Sequence, residues 1–414
     1  AATSTLDGVG GPIPGTEMAL YRHTLTANRP EWLGDHRVAG EVVVPATALM
    51  AMMLNAGRGN DLAGQWGLAE VQLLTPLAVG SETVCDLQVV VQPRDGLKRI
   101  EVYSGGGDTY DENESKTQRA FDENAEYETN SLILYYRDCE VRAQFANGYK
   151  RKQLHRVWSI SKSVSAILVG IAEQKDLINR EDLVVEYYPN IDPRYSQSLK
   201  IRHLLQMSSG LDWKEGYEAN PLGSNVIQML YVDGKADMAE YTSNIPFAYP
   251  PGTRWLYSSG ETNLMMGCLK KSMSAEKHAD FPWTELFEPI GITKATWERD
   301  SSGTFIGSSY LYLAPSDLAR IGYLYMHSGK WNQRQIVPES WVDFNLGLAP
   351  ALMNQEVPEP KELASYGAQW WLNHPNPRKE LIKEIPRAPD NLFFGSGHHG
   401  QFLAVYPDQD LILV

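Results

Sequence analysis

The chain has 414 residues, 43% of them hydrophobic and 21% charged, and carries a net charge of −14. That balance excludes wholesale disorder and a collagen-like fibre, and the lack of any basic run excludes a binder of duplex nucleic acid. No window approaches ~18 uninterrupted apolar residues, so no membrane span is expected, and neither an initiator Met nor a leader-like segment opens the chain.

Residues 1–104 read as a compact α+β unit. Glu17–Leu25 and Glu41–Val44 are strand candidates. Pro45–Asn55 is an apolar helix opened by a proline, whose missing N–H is tolerated in a first turn. Leu68–Leu74 follows, then Val84–Gln92 and Lys98–Tyr103. These last two are rich in β-branched residues and separated by Pro-Arg-Asp-Gly, which predicts a hairpin. One buried helix followed by antiparallel strands is the order of a single hot-dog unit. Ser104-Gly105-Gly106-Gly107 then reads as a flexible joint, with residues 105–112 as linker. Asp108–Glu128 holds eight acidic and two basic residues, and Ser115–Glu126 within it reads as a solvated helix.

The pattern changes again at Ser131. Ser131–Tyr136 and Glu140–Phe145 flank Arg137-Asp138 and predict a second hairpin. Val157–Gln174 is a long helix with an apolar face. Helices and loops follow to about Gly329, and strands return at Ala368–Leu372, Gln401–Tyr406 and Leu411–Val414. Strands at both ends with helices between them predict a sheet closed by distant parts of the chain, plus an inserted helical subdomain. Cys85, Cys139 and Cys268 lie too far apart for a disulfide framework or a metal spacing and read as reduced thiols.

The strongest chemical signal is Trp158-Ser159-Ile160-Ser161-Lys162-Ser163. Ser-x-x-Lys puts both side chains on one helical face, one turn apart. A serine hydroxyl becomes a nucleophile when a base takes its proton, and the helix N-terminus offers N–H groups to an oxyanion. The plain alternative is an N-cap serine followed by a surface lysine. Two downstream stretches bear on the choice. Tyr257-Ser258-Ser259 supplies a tyrosine able to share proton transfer. Gly395-Ser396-Gly397-His398-His399-Gly400-Gln401 supplies a polar partner at the entry of a strand whose N–H could complete an oxyanion hole. Read on one strand, His398 and His399 would face opposite sides and could not chelate a metal. Trp370-Trp371 reads as core packing ahead of the alternative, the lining of a substrate cleft. No Gly-x-Ser-x-Gly elbow occurs, so the α/β-hydrolase route is unsupported.

In this order the motifs resemble those of the serine β-lactamase and penicillin-recognising hydrolases, nearest to the class C-like esterases and amidases and the 6-aminohexanoate-dimer hydrolases. The resemblance covers about residues 113–414 and extends to WSISKSVSAILVGIAEQKDLI, IRHLLQMSSGLDW, PPGTRWLYSSGETNLMMG and GHHGQFLAVYPDQDLILV. It implies a β-lactamase/transpeptidase-like fold, an antiparallel sheet flanked by helices. It also implies Ser159 as acyl acceptor, Lys162 as its activator, Tyr257 as proton-transfer partner, His398 in the place of a lysine, and the N–H groups of Ser159 and Gln401 as oxyanion hole. Two departures favour an esterase or amidase over a true β-lactamase. Tyr257 is followed by Ser258-Ser259 where many members have x-Asn, with Asn263 nearby, and histidine replaces the Lys-Thr-Gly lysine. The family's C-terminal helix is missing after a final strand expected to lie inside the sheet.

In the first unit, His36, Gly40 and Pro45 form His-x3-Gly-x4-Pro. With the Pro45 helix and the stretch near Pro76, this resembles the N-terminal half of a polyketide synthase dehydratase domain over about residues 6–104. The resemblance implies His36 as the base that removes an α-proton from a 3-hydroxyacyl thioester, a task that suits an imidazole near neutrality. The partner aspartate belongs to a second hot-dog unit that is not present. Asp61-Leu62-Ala63-Gly64-Gln65 has its spelling in the wrong place.

Multidomain α+β is thus the expected fold class, with units 1–104 and 113–414. The leading functional expectation is a serine hydrolase acting on a small-molecule ester, amide or thioester, with no cofactor and no metal. A dehydratase fragment using His36 and a catalytically silent binding protein on a penicillin-binding scaffold are the rivals. Hot-dog units often pair, which leaves a homodimer through the first unit open. The compartment stays open between cytoplasm, slightly favoured, and periplasm.

Overall fold

The computed structural model describes residues 129–136, 139–216, 223–354, 365–375 and 383–414, together with the backbone of seven strands earlier in the chain. The chain forms two compact units, Ala1–Glu128 and Thr129–Val414.

In the first unit an antiparallel sheet runs in the order Val9–Pro12, Ala19–Leu25, Cys85–Arg94 and Leu97–Gly106, and a second joins Arg37–Val38, Glu41–Val44 and Leu77–Val79. The expected hairpin is present, with Val91 opposite Ile100 and Cys85 opposite Gly106. Its second strand runs through Gly105 and Gly106, so the glycines read as a joint begin inside β-structure. The expected helix Pro45–Asn55, the strand Leu68–Leu74, the acidic helix Ser115–Glu126 and His36 itself lie outside the described residues.

The second unit is built on a six-stranded antiparallel sheet. We label its strands β1 (Ser131–Tyr136), β2 (Cys139–Phe145), β3 (Trp371–Leu372), β4 (Phe393–Gly397), β5 (Gln401–Tyr406) and β6 (Leu411–Leu413). Their spatial order is β3-β4-β5-β6-β1-β2. The last strand of the chain therefore lies inside the sheet, with Leu413 opposite both Ala404 and Leu134. Distant ends of the segment close the sheet, as the alternation of strands and helices predicts. A three-stranded patch joins His155–Arg156, ahead of the long helix, to Leu311–Leu313 and Thr296–Trp297, which lie in the region read as helices and loops.

Three helices carry the site and its support: α1 (Ile160–Gln174), α2 (Ser259–Lys271) and α3 (Pro315–Met326). Every residue of α1 from Ile160 to Ala172 is buried. A helix covered all round must satisfy its polar side chains internally. Ser163 Oγ donates to the Gln369 carbonyl at 2.7 Å, and Ser165 Oγ to those of Ser161 and Gly307 at 3.0 and 3.1 Å. The indole Nε1 of Trp341 donates to the Ala166 carbonyl at 3.1 Å. On the sheet, Gly322 of α3 packs against Leu403, Val405 and Ile412.

Strand β4 escaped the sequence reading because Gly395-Ser396-Gly397 spells a loop. The glycines are there for close approach instead. A Cβ on Gly395 would lie 2.9 Å from Ile160 Cγ2, and one on Gly397 would lie 2.4 Å from the Val157 carbonyl oxygen. Strand β4 is pressed onto the start of α1, where the nucleophile candidate sits.

Candidate active site

Ser159 occupies the N-cap position of α1, with φ −64° and ψ −11°, but its side chain makes no cap hydrogen bond. Trp158 before it holds a left-handed backbone, φ 48°. For a bulky residue that conformation carries strain of order 1–3 kcal/mol and persists only where its surroundings enforce it. They do so here: Arg156 lies 4.6 Å from the Trp158 ring centroid, and the rings of His398 and His399 meet it at 5.3 and 5.7 Å. The bend turns the Ser159 hydroxyl away from the cap and toward Lys162.

Lys162 is 1% exposed. Its Nζ lies 3.0 Å from Ser159 Oγ, 3.1 Å from Ser259 Oγ and 3.1 Å from the Ser308 carbonyl oxygen. All three directions around the nitrogen are thus taken by oxygen atoms, as a buried amine requires. The alternative of a capping serine and a surface lysine is therefore rejected on both counts. Tyr257 completes the group, its ring centroid 4.8 Å from Lys162 Nζ. Trp371 stacks on the Tyr257 ring at 5.7 Å and Tyr366 meets it edge-on at 6.1 Å. Of the tryptophan pair, Trp370 is core, fully buried against Tyr325 and Phe393. Trp371 instead forms the wall beside Tyr257.

Ser259 and Glu215 were not singled out from the sequence. Ser259 stands two residues after Tyr257, where the resemblance led us to look for asparagine, and its hydroxyl meets Lys162. Asn263 lies one layer behind: its Nδ2 donates to Ser308 Oγ at 3.1 Å and its Oδ1 accepts from Ser308 N at 3.2 Å. It thereby fixes the carbonyl that Lys162 uses. Glu215 accepts from Ser259 Oγ at 2.5 Å and from Ser259 N at 2.9 Å. The signal was out of reach in a linear reading, because a carboxylate 44 residues away from its partner has no spacing to betray it.

Two further placements differ from expectation. His398 and His399 are not consecutive strand residues on opposite faces. They sit in the tight turn His398–Gly400 between β4 and β5, where His399 has φ 58°. Their ring centroids are 4.0 Å apart and both rings face Trp158. Gln401 opens β5 opposite Gly397, which packs against Trp158, so this turn adjoins the start of α1. Among the described residues no group of three or more His, Cys, Asp or Glu could hold a metal ion, and no helix is long and apolar enough to cross a membrane.

The Beta-lactamase family matches residues 119–414, and the polyketide synthase dehydratase domain matches residues 12–105. Over 292 residues the chain is 23% identical to the 6-aminohexanoate-dimer hydrolase of Paenarthrobacter ureafaciens, covering 68% of this chain and 71% of that one. Over 105 residues it is 33% identical to the spectinabilin polyketide synthase system protein NorA of Streptomyces orinoci, which is 23% of this chain and 5% of that one. The octameric penicillin-binding protein homologue from Pyrococcus abyssi shares the fold, with a TM-score of 0.53 at 17% identity over 74% of this chain and 72% of its own. With well over half of its length matched, the chain belongs to the Beta-lactamase family and is, over residues 119–414, a serine hydrolase of that type.

Proposed function

We propose that the second unit cleaves an ester or amide through an acyl-enzyme on Ser159. The observation that carries this reading is the Lys162 amine, buried and 3.0 Å from Ser159 Oγ. As an amine it takes the Ser159 proton while the oxygen attacks the substrate carbonyl. The N–H groups of Ser159 and Gln401 receive the oxyanion. Tyr257 and Lys162 return the proton to the leaving group, and water then attacks the acyl-enzyme with the same pair as base. His398, edge-on to the Trp158 ring at 5.3 Å, takes the place of the family's lysine in this reading. The partly exposed rings of Trp371 and Tyr257, backed by the buried Tyr366, suit an apolar acyl or leaving group, and the P. ureafaciens relative is named a 6-aminohexanoate-dimer hydrolase. Removing a general base costs about 10²–10⁴ in rate. Lys162→Ala is therefore expected to lose that much kcat/KM on both a p-nitrophenyl ester and a p-nitroanilide, with its melting curve retained. Wild-type turnover in this variant would contradict the assignment.

A second reading concerns the first unit, supported by the dehydratase-domain match over residues 12–105. We infer a single hot-dog unit in which His36 is the α-proton base, paired with an acid from another chain or domain. Loss of water from a 3-hydroxyacyl thioester, absent in His36→Ala, tests it. No dehydration at high protein concentration contradicts it.

A further inference from the structure

We propose that Glu215 is a positioning residue that fixes the direction of the Ser259 hydroxyl and so reserves the Lys162 lone pair for Ser159. The proposal rests on the reading of Lys162 as the base. Its logic is a count of hydrogens. A carboxylate only accepts, and a serine hydroxyl has one proton to give. Glu215 Oε1 lies 2.5 Å from Ser259 Oγ, so the Ser259 proton is committed to Glu215. The Ser259 oxygen must then accept from Lys162 across the 3.1 Å contact. The Ser308 carbonyl, also at 3.1 Å, can only accept. A neutral amine has two N–H bonds and one lone pair. Both N–H bonds are used by Ser259 and Ser308, and the lone pair is left facing Ser159 Oγ. After proton transfer the new N–H points back along the same 3.0 Å line. One frame therefore serves the lysine before and after it takes the proton.

Reversing the Ser259 hydroxyl would spoil this. The O–H would then donate to the lysine lone pair, and Ser159 would have no acceptor. What prevents reversal is the way Glu215 is held. Its Oε2 accepts from the Ser259 backbone N–H at 2.9 Å, at the start of α2, and from Trp213 Nε1 at 2.5 Å. Two N–H donors converge on Oε2, and the Ser259 hydroxyl meets Oε1.

The same geometry dictates what an isosteric amide does. In Glu215→Gln the amide oxygen must take the place that faces two N–H donors. The NH2 group is then left against Ser259 Oγ. Ser259 becomes an acceptor toward Gln and a donor toward Lys162, which is the reversed state. The test is the cycle of wild type, Glu215→Gln, Ser259→Ala and the double variant, read as single-turnover acylation by p-nitrophenyl acetate with the adduct followed by intact mass. Glu215→Gln should slow acylation at least about tenfold, and Ser259→Ala less, because alanine has no proton to misdirect. In the Ser259→Ala background the further change to Gln should have no effect beyond about twofold. Acylation by Glu215→Gln at the wild-type rate overturns the proposal. So does an equal loss in both backgrounds, which marks a merely structural glutamate. If Glu215→Gln does not fold, Glu215→Ala frees the same hydroxyl and enters the cycle with the same expected signs. A wild-type protein that forms no adduct, or a Ser159→Ala protein that still forms one, fails at the earlier step and removes the base that this proposal serves.

Discussion

At the residue scale the site depends on polar groups that burial forces into fixed partnerships. Lys162 shows this for the chemistry and Glu261 for stability. Glu261, in the first turn of α2, is 2% exposed, and burial pushes its carboxyl up to about 8 despite hydrogen bonds from Ser209. Unfolded, the group would titrate near its ordinary 4.5. The folded protein therefore holds a proton that the unfolded chain releases between about pH 4.5 and pH 8, and stability falls as pH rises through that window. His203 and His278, which burial lowers to about 4, act with the opposite sign between about 4 and 6.5. Comparing Glu261→Gln with wild type cancels the histidines. The Tm of the variant relative to wild type is expected to climb from pH 5 to pH 8. A difference that stays level across that range contradicts a protonated Glu261.

At the element scale, Ser159 is placed by the contact of β4 with the start of α1. Ile160 fits into the space left by Gly395, and the turn after β4 brings His398 and His399 onto Trp158. Overpacking a well-filled contact costs about 1–3 kcal/mol. Gly395→Ala should lower the urea midpoint by the equivalent of that amount and slow acylation, because α1 must shift. A variant as stable and as active as wild type would show that the contact has slack. The same contact explains what was legible beforehand. Both hairpins and α1 could be read because their periodicities and turn residues are local properties. Strand β4 could not, because its glycines answer to Ile160 and Val157 more than 200 residues earlier in the chain. The two-residue strands at His155–Arg156 and Thr296–Trp297 are too short to show a period. Within the site, Ser159, Lys162 and Tyr257 were readable from motif order. Ser259, Glu215 and the turn that carries the histidines exist only once the chain is folded.

At the scale of the whole molecule, two units that match unrelated families share one chain. Among the described residues, those that assemble around Ser159 belong to the second unit, and the proposed acylation gives His36 no role. The most direct measurement is a pre-steady-state burst with a p-nitrophenyl short-chain ester, run on wild type, Ser159→Ala and His36→Ala, with intact mass read on the same samples. The account predicts a burst near one equivalent and an acyl adduct in wild type and in His36→Ala, and neither in Ser159→Ala. Folded wild-type protein with no burst and no adduct, or an adduct that survives in Ser159→Ala, would contradict it.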